Sequence, residues 1–237
     1  MSNRYIIKTH NKYSYLEDFV KSLPNLFESG EGKIVYKGRN ELREFYHQGL
    51  HLIVKSFQRP NFINQIAYGT FRSPKAQRSY EYANILLKAG IHTPHPIGYL
   101  TEQKGLLFNH SYYVCLKSEC PYTFNDLLTQ NFPRQEEIIR AIAKTTADMH
   151  NKGYLHKDYS AGNILFRDDL KDIQVEIIDL NRMRFGKVSL EKGCKNFERL
   201  PQTNQILPIL SQTYAKFRGF NPEECYNRMQ RAMYKVE

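Results

Sequence analysis

Apolar positions along the first half of the chain change their period twice. Residues 13–23 read as a short helix, which Pro24 is expected to end. A β-rich stretch follows. Lys33-Ile34-Val35-Tyr36, residues 41–46 and residues 50–57 read as three strands, joined by turns at Lys37-Gly38-Arg39-Asn40 and His47-Gln48-Gly49. Ser73-Pro74 then sets an N-cap with proline at the first helical position. Ala76, Tyr80, Ala83 and Leu87 share one face of the helix it opens, and Gly90 stops it. Two further strands are expected at 97–100 and 112–116. Residues 118–122 read as a hinge with Pro121 at a turn, and beyond them the pattern turns helical. Thr123 and Asp126 form a capping pair. Residues 134–150 read as a longer helix with Ile138, Ile139, Ile142 and Met149 inward, stopped near Gly153, and Asn221-Pro222-Glu223-Glu224 opens a last helix.

This succession predicts an α+β fold in two lobes. Residues 1–117 make a small antiparallel sheet with one helix, and residues 118–237 a mainly helical, shortened second lobe. The length of 237 residues suits one large domain or two small lobes. No apolar run reaches the length of a membrane span, and the first residues lack the apolar core of a secretory signal, so a cytoplasmic location is expected. Cys115, Cys120, Cys194 and Cys225 form no Cys-x-x-Cys pair and no zinc spacing, and read as small packed residues. The net charge of +10 changes the picture more, because it favours a polyanionic partner. Arg72, Lys75 and Arg78 form one basic cluster, and Arg182, Arg184 and Lys187 another.

The chemistry concentrates in His156-Lys157-Asp158-Tyr159-Ser160-Ala161-Gly162-Asn163-Ile164-Leu165. Asp158 and Asn163 stand five apart, the spacing of a kinase catalytic loop, and a short apolar strand then ends in Asp179. Together they point to phosphoryl transfer from a nucleotide. Asp158 orients the acceptor hydroxyl and takes its proton, while Asn163 and Asp179 offer the hard oxygen ligands Mg²⁺ prefers. His156 reads as a residue that braces the loop. Lys55 is costly inside an apolar strand unless its ammonium meets an anion, such as nucleotide phosphate and a helix carboxylate. Glu81 is the matching carboxylate. Gly38 and Arg39 occupy the turn where a phosphate-covering loop belongs, though with one glycine rather than three. Each residue also has a plainer reading. Asp158 and Asn163 would be turn residues, Asp179 a strand-end cap, Lys55 an edge-strand lysine and Glu81 a solvated helix charge. The sequence Asp179-Leu180-Asn181 departs from the Asp-Phe-Gly of protein kinases.

From about Lys33 to Leu210 the chain resembles the lipopolysaccharide core kinases, the Kdo/heptose kinase family of Gram-negative bacteria. The resemblance is carried by Ser73-Pro74-Lys75-Ala76-Gln77-Arg78-Ser79-Tyr80-Glu81, by Gly90-Ile91-His92-Thr93-Pro94-His95-Pro96, by the Asp158 loop, by Ile178-Asp179-Leu180-Asn181-Arg182 and by Asn196-Phe197-Glu198-Arg199-Leu200. It implies a protein-kinase-like fold and ATP- and Mg²⁺-dependent phosphorylation of a Kdo or heptose hydroxyl on the lipid A–core glycolipid. The work would occur at the inner face of the inner membrane, where the basic clusters suit an anionic acceptor. It places Lys55 and Glu81 at the phosphates, Asp158 as base, and Asn163 and Asp179 on the metal. No stable nucleic-acid partner is expected. Two other readings stand beside it: a small atypical protein kinase or ATPase of the RIO type, and a non-catalytic scaffold. The complete set Lys55, Asp158, Asn163 and Asp179 argues against the scaffold.

Overall fold

The structure, a computed structural model, describes residues 3–58, 73–104, 107–201 and 203–233. The chain divides into two compact units, one of residues 1–85 and 94–117, the other of residues 86–93 and 118–237.

The first unit is a six-stranded antiparallel sheet in the order β1-β5-β6-β4-β3-β2. Its strands are β1 (Asn3–Thr9), β2 (Lys33–Lys37), β3 (Asn40–His47), β4 (Leu50–Phe57), β5 (Pro96–Lys104) and β6 (Leu107–Leu116). Alternation along β4 explains its position in the sheet. Leu52 and Val54 face one side, where they join Tyr13, Leu16, Phe19, Val20, Leu23, Ile97, Leu100, Tyr112 and Val114 in a closed core. Phe57 faces the other side and packs with Ala76, Tyr80, Tyr99 and Tyr113. A helix therefore covers each face: α1 (Glu17–Glu28) on the first, α2 (Lys75–Lys88) on the second.

Two expectations change here. The strand β1 pairs with β5 along the sheet edge, a partnership almost a hundred residues apart that local pattern does not announce. Helix α1 also runs through Pro24 to Glu28 rather than stopping there. A proline removes one helical N–H and costs about 3 kcal/mol inside a helix. Burial offsets that cost. Leu16, Val20 and Leu23 are fully buried, Phe19 nearly so, and Leu26 and Phe27 still pack on the core after the proline. The last turn is also held from outside. Arg43 on β3, 6% exposed, donates from Nη1 to the carbonyls of Leu26 (3.3 Å) and Glu31 (2.7 Å) and from Nη2 to that of Phe27 (3.2 Å). Its Nε donates to Glu41 (2.6 Å), and its guanidinium stacks 4.3 Å from the Phe27 ring. Gly30 in the left-handed conformation caps the same turn, with its N–H on the Phe27 carbonyl and that of Glu31 on the Leu26 carbonyl, and the charged fork adds to those bonds. On α2 the buried leucine is Leu86 rather than Leu87, with Ala76, Tyr80 and Ala83 inward as the pattern requires, and Gly90 takes the left-handed backbone.

The second unit is mainly helical. Helix α4 (Gln135–Asn151) buries Ile138, Ile139, Ile142, Ala143, Ala147 and Met149 and packs against α6 (Ile206–Arg218), which in turn packs on α7 (Pro222–Met233). Short helices α3 (Asp126–Thr129) and α5 (Leu190–Lys195) flank them. Thr123 meets Asp126 through both its N–H and hydroxyl, and Asn221 accepts the N–H of Glu224, as the capping patterns predict. Helix α6 is an addition to the expected elements. Its signal is present in Ile206, Leu207, Leu210 and Tyr214, one helical face closed by Gly219 in the left-handed conformation. Five short strands carry the loops: β7 (Tyr122–Thr123), β9 (Ile164–Asp168) and β10 (Ile173–Ile177) in one sheet, β8 (Tyr154–His156) and β11 (Met183–Phe185) in another. Residues 86–93 belong to this unit, and the His92 carbonyl accepts the N–H of Ile177 (3.0 Å). All four cysteines are buried thiols outside any disulfide.

Replacing Arg43 by Met keeps the volume of the side chain but removes its bonds to three carbonyls and to the Glu41 carboxylate. Urea unfolding should show a loss of about 2–4 kcal/mol. A loss under about 0.5 kcal/mol, the range of ordinary surface substitutions, would show that the helix end is held by something else.

Candidate active site

The Asp158 loop lies between β8 and β9 in the second unit, and its backbone is held by side chains rather than by regular pairing. His156 ends β8 fully buried. Its Nδ1 accepts the Asp158 N–H (3.1 Å), and its Nε2 donates to the carbonyls of Ile178 and Asp179 (3.1 Å each). Both ring nitrogens are thus committed to backbone, which fixes the neutral Nε2–H tautomer. Burial pushes the imidazole pKa down, so the ring stays neutral. His156 is a brace, as its position suggested.

The same bonds gather the three residues of the expected metal and base set. Asn163 Nδ2 donates to the Asp158 carbonyl (2.8 Å), and the Asn163 carbonyl accepts the Ile178 N–H (3.0 Å). Asp158, Asn163 and Asp179 therefore sit on one hydrogen-bonded frame with His156 at its centre. Asp179 takes the left-handed backbone conformation (φ 59°, ψ 51°), uncommon outside glycine and worth about 1–3 kcal/mol of strain at a functional site. Its Oδ1 accepts from Asn181 Nδ2, and Asn181 is itself buried. With its Nδ2 turned to the Asp158 carbonyl, Asn163 keeps its amide oxygen as the acceptor end. That oxygen and the Asp179 carboxylate are hard donors of the kind Mg²⁺ takes. Among the described residues no three His, Cys, Asp or Glu side chains cluster as metal ligands. A magnesium ion that keeps water and phosphate oxygens needs no such cluster, so the residues fit.

Sequence reasoning gave no role to the side chains that hold this frame from behind. Asn196, just after α5, donates from Nδ2 to the His156 carbonyl (2.8 Å). Its Oδ1 accepts from His150 Nε2 on α4 (3.0 Å), and His150 Nδ1 accepts the Tyr214 hydroxyl of α6 (2.9 Å). Phe197 then packs edge-on between Tyr159 and Tyr214. Arg182 is expected only as a member of a basic cluster, and Arg199 has no expected role. Both donate to Asp158 Oδ1, at 2.8 and 3.2 Å. Asn181, Arg182, Asn196 and Arg199 all stand in stretches already singled out by resemblance. Their partners lie tens of residues away, and no local pattern names them.

In the first unit Lys55 stands opposite Leu42 on β3 and Tyr113 on β6, and Tyr113 stands opposite Tyr99 on β5. Lys55 is thus on a central strand, not an edge, and on the face that α2 covers. Its ammonium lies 5.4 Å from the Phe57 ring. Glu81 sits on α2 beside Tyr80 of that same cluster and accepts from Gln77 Nε2 (2.8 Å). Burial first, and Glu81 after it, raises the Tyr99 phenol. Gly38 donates its N–H to the Asn40 carbonyl (3.1 Å) in the β2–β3 turn, and Arg39 is exposed. A Cβ at Gly38 would come 2.5 Å from the Tyr36 hydroxyl. The first basic cluster does not form the surface expected of it. Arg78 is buried and Lys75 reaches over Phe57, while Arg72 lies outside the described residues. Arg182, Arg184 and Lys187 are exposed.

A model of the lipopolysaccharide kinase (Kdo/WaaP) family matches residues 25–218. The 3-deoxy-D-manno-octulosonic acid kinase of Vibrio parahaemolyticus serotype O3:K6 is 29% identical over 147 residues, which span 59% of this chain and 59% of that protein. The enzyme of the same name from Mannheimia succiniciproducens is 26% identical over 210 residues, covering 81% of this chain and 86% of the relative. Among solved structures, WaaP in complex with acyl carrier protein superposes with a TM-score of 0.65 at 17% identity, over 98% of this chain and 99% of that one. The fold is protein-kinase-like. Among the described residues no helix is long and apolar enough to cross a membrane.

Burial pushes His150 down to about 4 from its ordinary 6.5. The unfolded chain therefore takes up a proton at this residue as pH falls below 6.5, and the folded chain does so only near 4. Stability carried by the neutral ring is complete above pH 6.5 and is lost on descending to pH 4, at about 1.4 kcal/mol per pH unit. Urea unfolding of the wild type and of His150→Gln at several pH values across this window should show the wild type losing stability more steeply by that amount. Parallel pH profiles would mean that His150 is not buried neutral.

Proposed function

Because the chain belongs to the lipopolysaccharide kinase (Kdo/WaaP) family, we propose that it transfers the terminal phosphoryl group of ATP, as the Mg²⁺ complex, to a hydroxyl of a Kdo sugar in the lipopolysaccharide inner core. The observation that carries the reading is the single frame on which His156 holds Asp158, Asn163 and Asp179. Both relatives named above are 3-deoxy-D-manno-octulosonic acid kinases, which favours Kdo over heptose.

Phosphoryl transfer asks a protein for positioning and charge stabilisation more than for covalent help. In this reading Asp158 orients the acceptor hydroxyl and takes its proton. Asn163, through its amide oxygen, and Asp179, through its carboxylate, would hold the metal. Bound Mg²⁺–ATP supplies the phosphoryl group and the neutralising charge. Lys55 would meet the phosphates, with Glu81 as the carboxylate partner of its ammonium and Gly38 and Arg39 at the covering turn. Residues 1–117 thus serve the nucleotide, and residues 118–237 the catalytic loop and the acceptor. The acceptor is the anionic lipid A–core glycolipid, met at the inner face of the inner membrane, where the exposed Arg182, Arg184 and Lys187 favour contact with an anionic surface.

The test is phosphate transfer from ATP to a deacylated, Kdo-bearing core oligosaccharide by purified protein, with mass spectrometry of the product. Asp158→Asn should lower kcat by about 10²- to 10⁴-fold while leaving thermal unfolding within about 2 °C, since the Asp158 carboxylate meets exposed arginines and supports no core. Transfer to protein acceptors with none to the oligosaccharide would instead select the atypical protein-kinase reading.

A further inference from the structure

One oxygen of the proposed base carries two arginines. Arg182 Nη1 lies 2.8 Å and Arg199 Nη1 3.2 Å from Asp158 Oδ1. The arginine side chains are 57% and 51% exposed and the carboxylate 21%. Such exposed pairs stabilise a fold by about 0–1 kcal/mol, so holding the structure together does not account for them. The charges are also unequal at Asp158 itself. Two guanidinium groups face one carboxylate, and Lys157 beside it is exposed as well. The two arginines also come from separate segments, the turn after Asp179 and the stretch after α5, and converge only in the fold. They rest on one of the two carboxylate oxygens that could receive a hydroxyl proton.

An acceptor carrying its own oxyanion resolves both features. Guanidinium is a planar fork that binds carboxylate or phosphate through paired N–H donors. An oxyanion placed next to the reacting hydroxyl would draw Arg182 and Arg199 onto itself and uncover Asp158 Oδ1 in the same movement. We infer that Arg182 and Arg199 form the anion subsite of the acceptor, and that engaging it frees Asp158 for the hydroxyl. The inference rests on the sugar-kinase reading above. An octulosonic acid carries a carboxylate and hydroxyls on one ring, and phosphate elsewhere on the core is the other source of the same chemistry. A neutral sugar would leave the arginines on Asp158.

The probes are a deacylated Kdo-bearing core oligosaccharide, its carboxyl methyl ester and its dephosphorylated form. Each is measured twice, by transfer kinetics and by calorimetric binding without nucleotide. Arg182→Gln and Arg199→Gln should each weaken binding of the free-acid oligosaccharide and raise its KM by about 10- to 100-fold, with the KM for ATP moving less than about 2-fold. Arg182→Lys, which keeps the charge but loses the fork, should fall in between. Wild type should lose a similar factor on the methyl ester if the anion is the carboxylate, or on the dephosphorylated form if it is a phosphate. Either result supports the subsite and names its ligand. Unchanged binding of all three probes by both glutamine variants, or a shift in the KM for ATP in place of that for acceptor, overturns it. If wild type phosphorylates none of the probes, the sugar-kinase reading fails, and the binding arm still decides the subsite. Thermal unfolding of each variant checks that the fold is kept.

Discussion

A buried imidazole with no proton to spare sets the geometry of this site. His156 uses one nitrogen to take the Asp158 N–H and the other to hold the carbonyls ahead of and at Asp179. A protonated ring could not accept, and a ring turned over would lose both sets of bonds, so burial, tautomer and loop shape fix one another. The consequence is that two carboxylates far apart in the chain are located by one rigid ring. The left-handed backbone at Asp179 is tolerable only because its neighbours over-determine it.

Support for that ring comes from the helical core. Asn196 spans the His156 carbonyl and the His150 ring, and His150 is held in turn by the Tyr214 hydroxyl. Each donor in this chain meets an acceptor in a setting where an unmet polar atom costs about 1–3 kcal/mol. Tyr159, Phe197 and Tyr214 pack edge to face around it. The Asp158 loop thus inherits the stiffness of α4 and α6 without belonging to either. The charged groups at its open side are of a different kind. Arg182 and Arg199 are exposed and cost little to move.

In the first unit the corresponding constraint is the two-faced sheet. Because α1 closes one face, everything of chemical interest on β4 must look the other way, toward α2. Lys55 follows from that alternation: it shares a face with Phe57, Tyr99 and Tyr113 because Leu52 and Val54 are required elsewhere. Arg43 reinforces the glycine cap of α1 at Gly30, and its distance along the chain from the helix end it holds hid that role from local inspection.

Read alone, the sequence determined the strands β2 to β4, the bounds of α2 and α4, the caps at Asp126 and Asn221, and the candidate set of Asp158, Asn163 and Asp179. Those features depend on spacing within a few residues, and period, capping chemistry and loop motifs are local by nature. Only the tertiary structure decided the pairing of β1 with β5, the passage of α1 through Pro24, the burial of Arg78, and the convergence of Asn196, Arg182 and Arg199 on the Asp158 loop. Each of these is a contact between residues distant in the chain. Its free energy comes from burial and from meeting polar groups with partners, and the sequence names such partners only once the fold has brought them together.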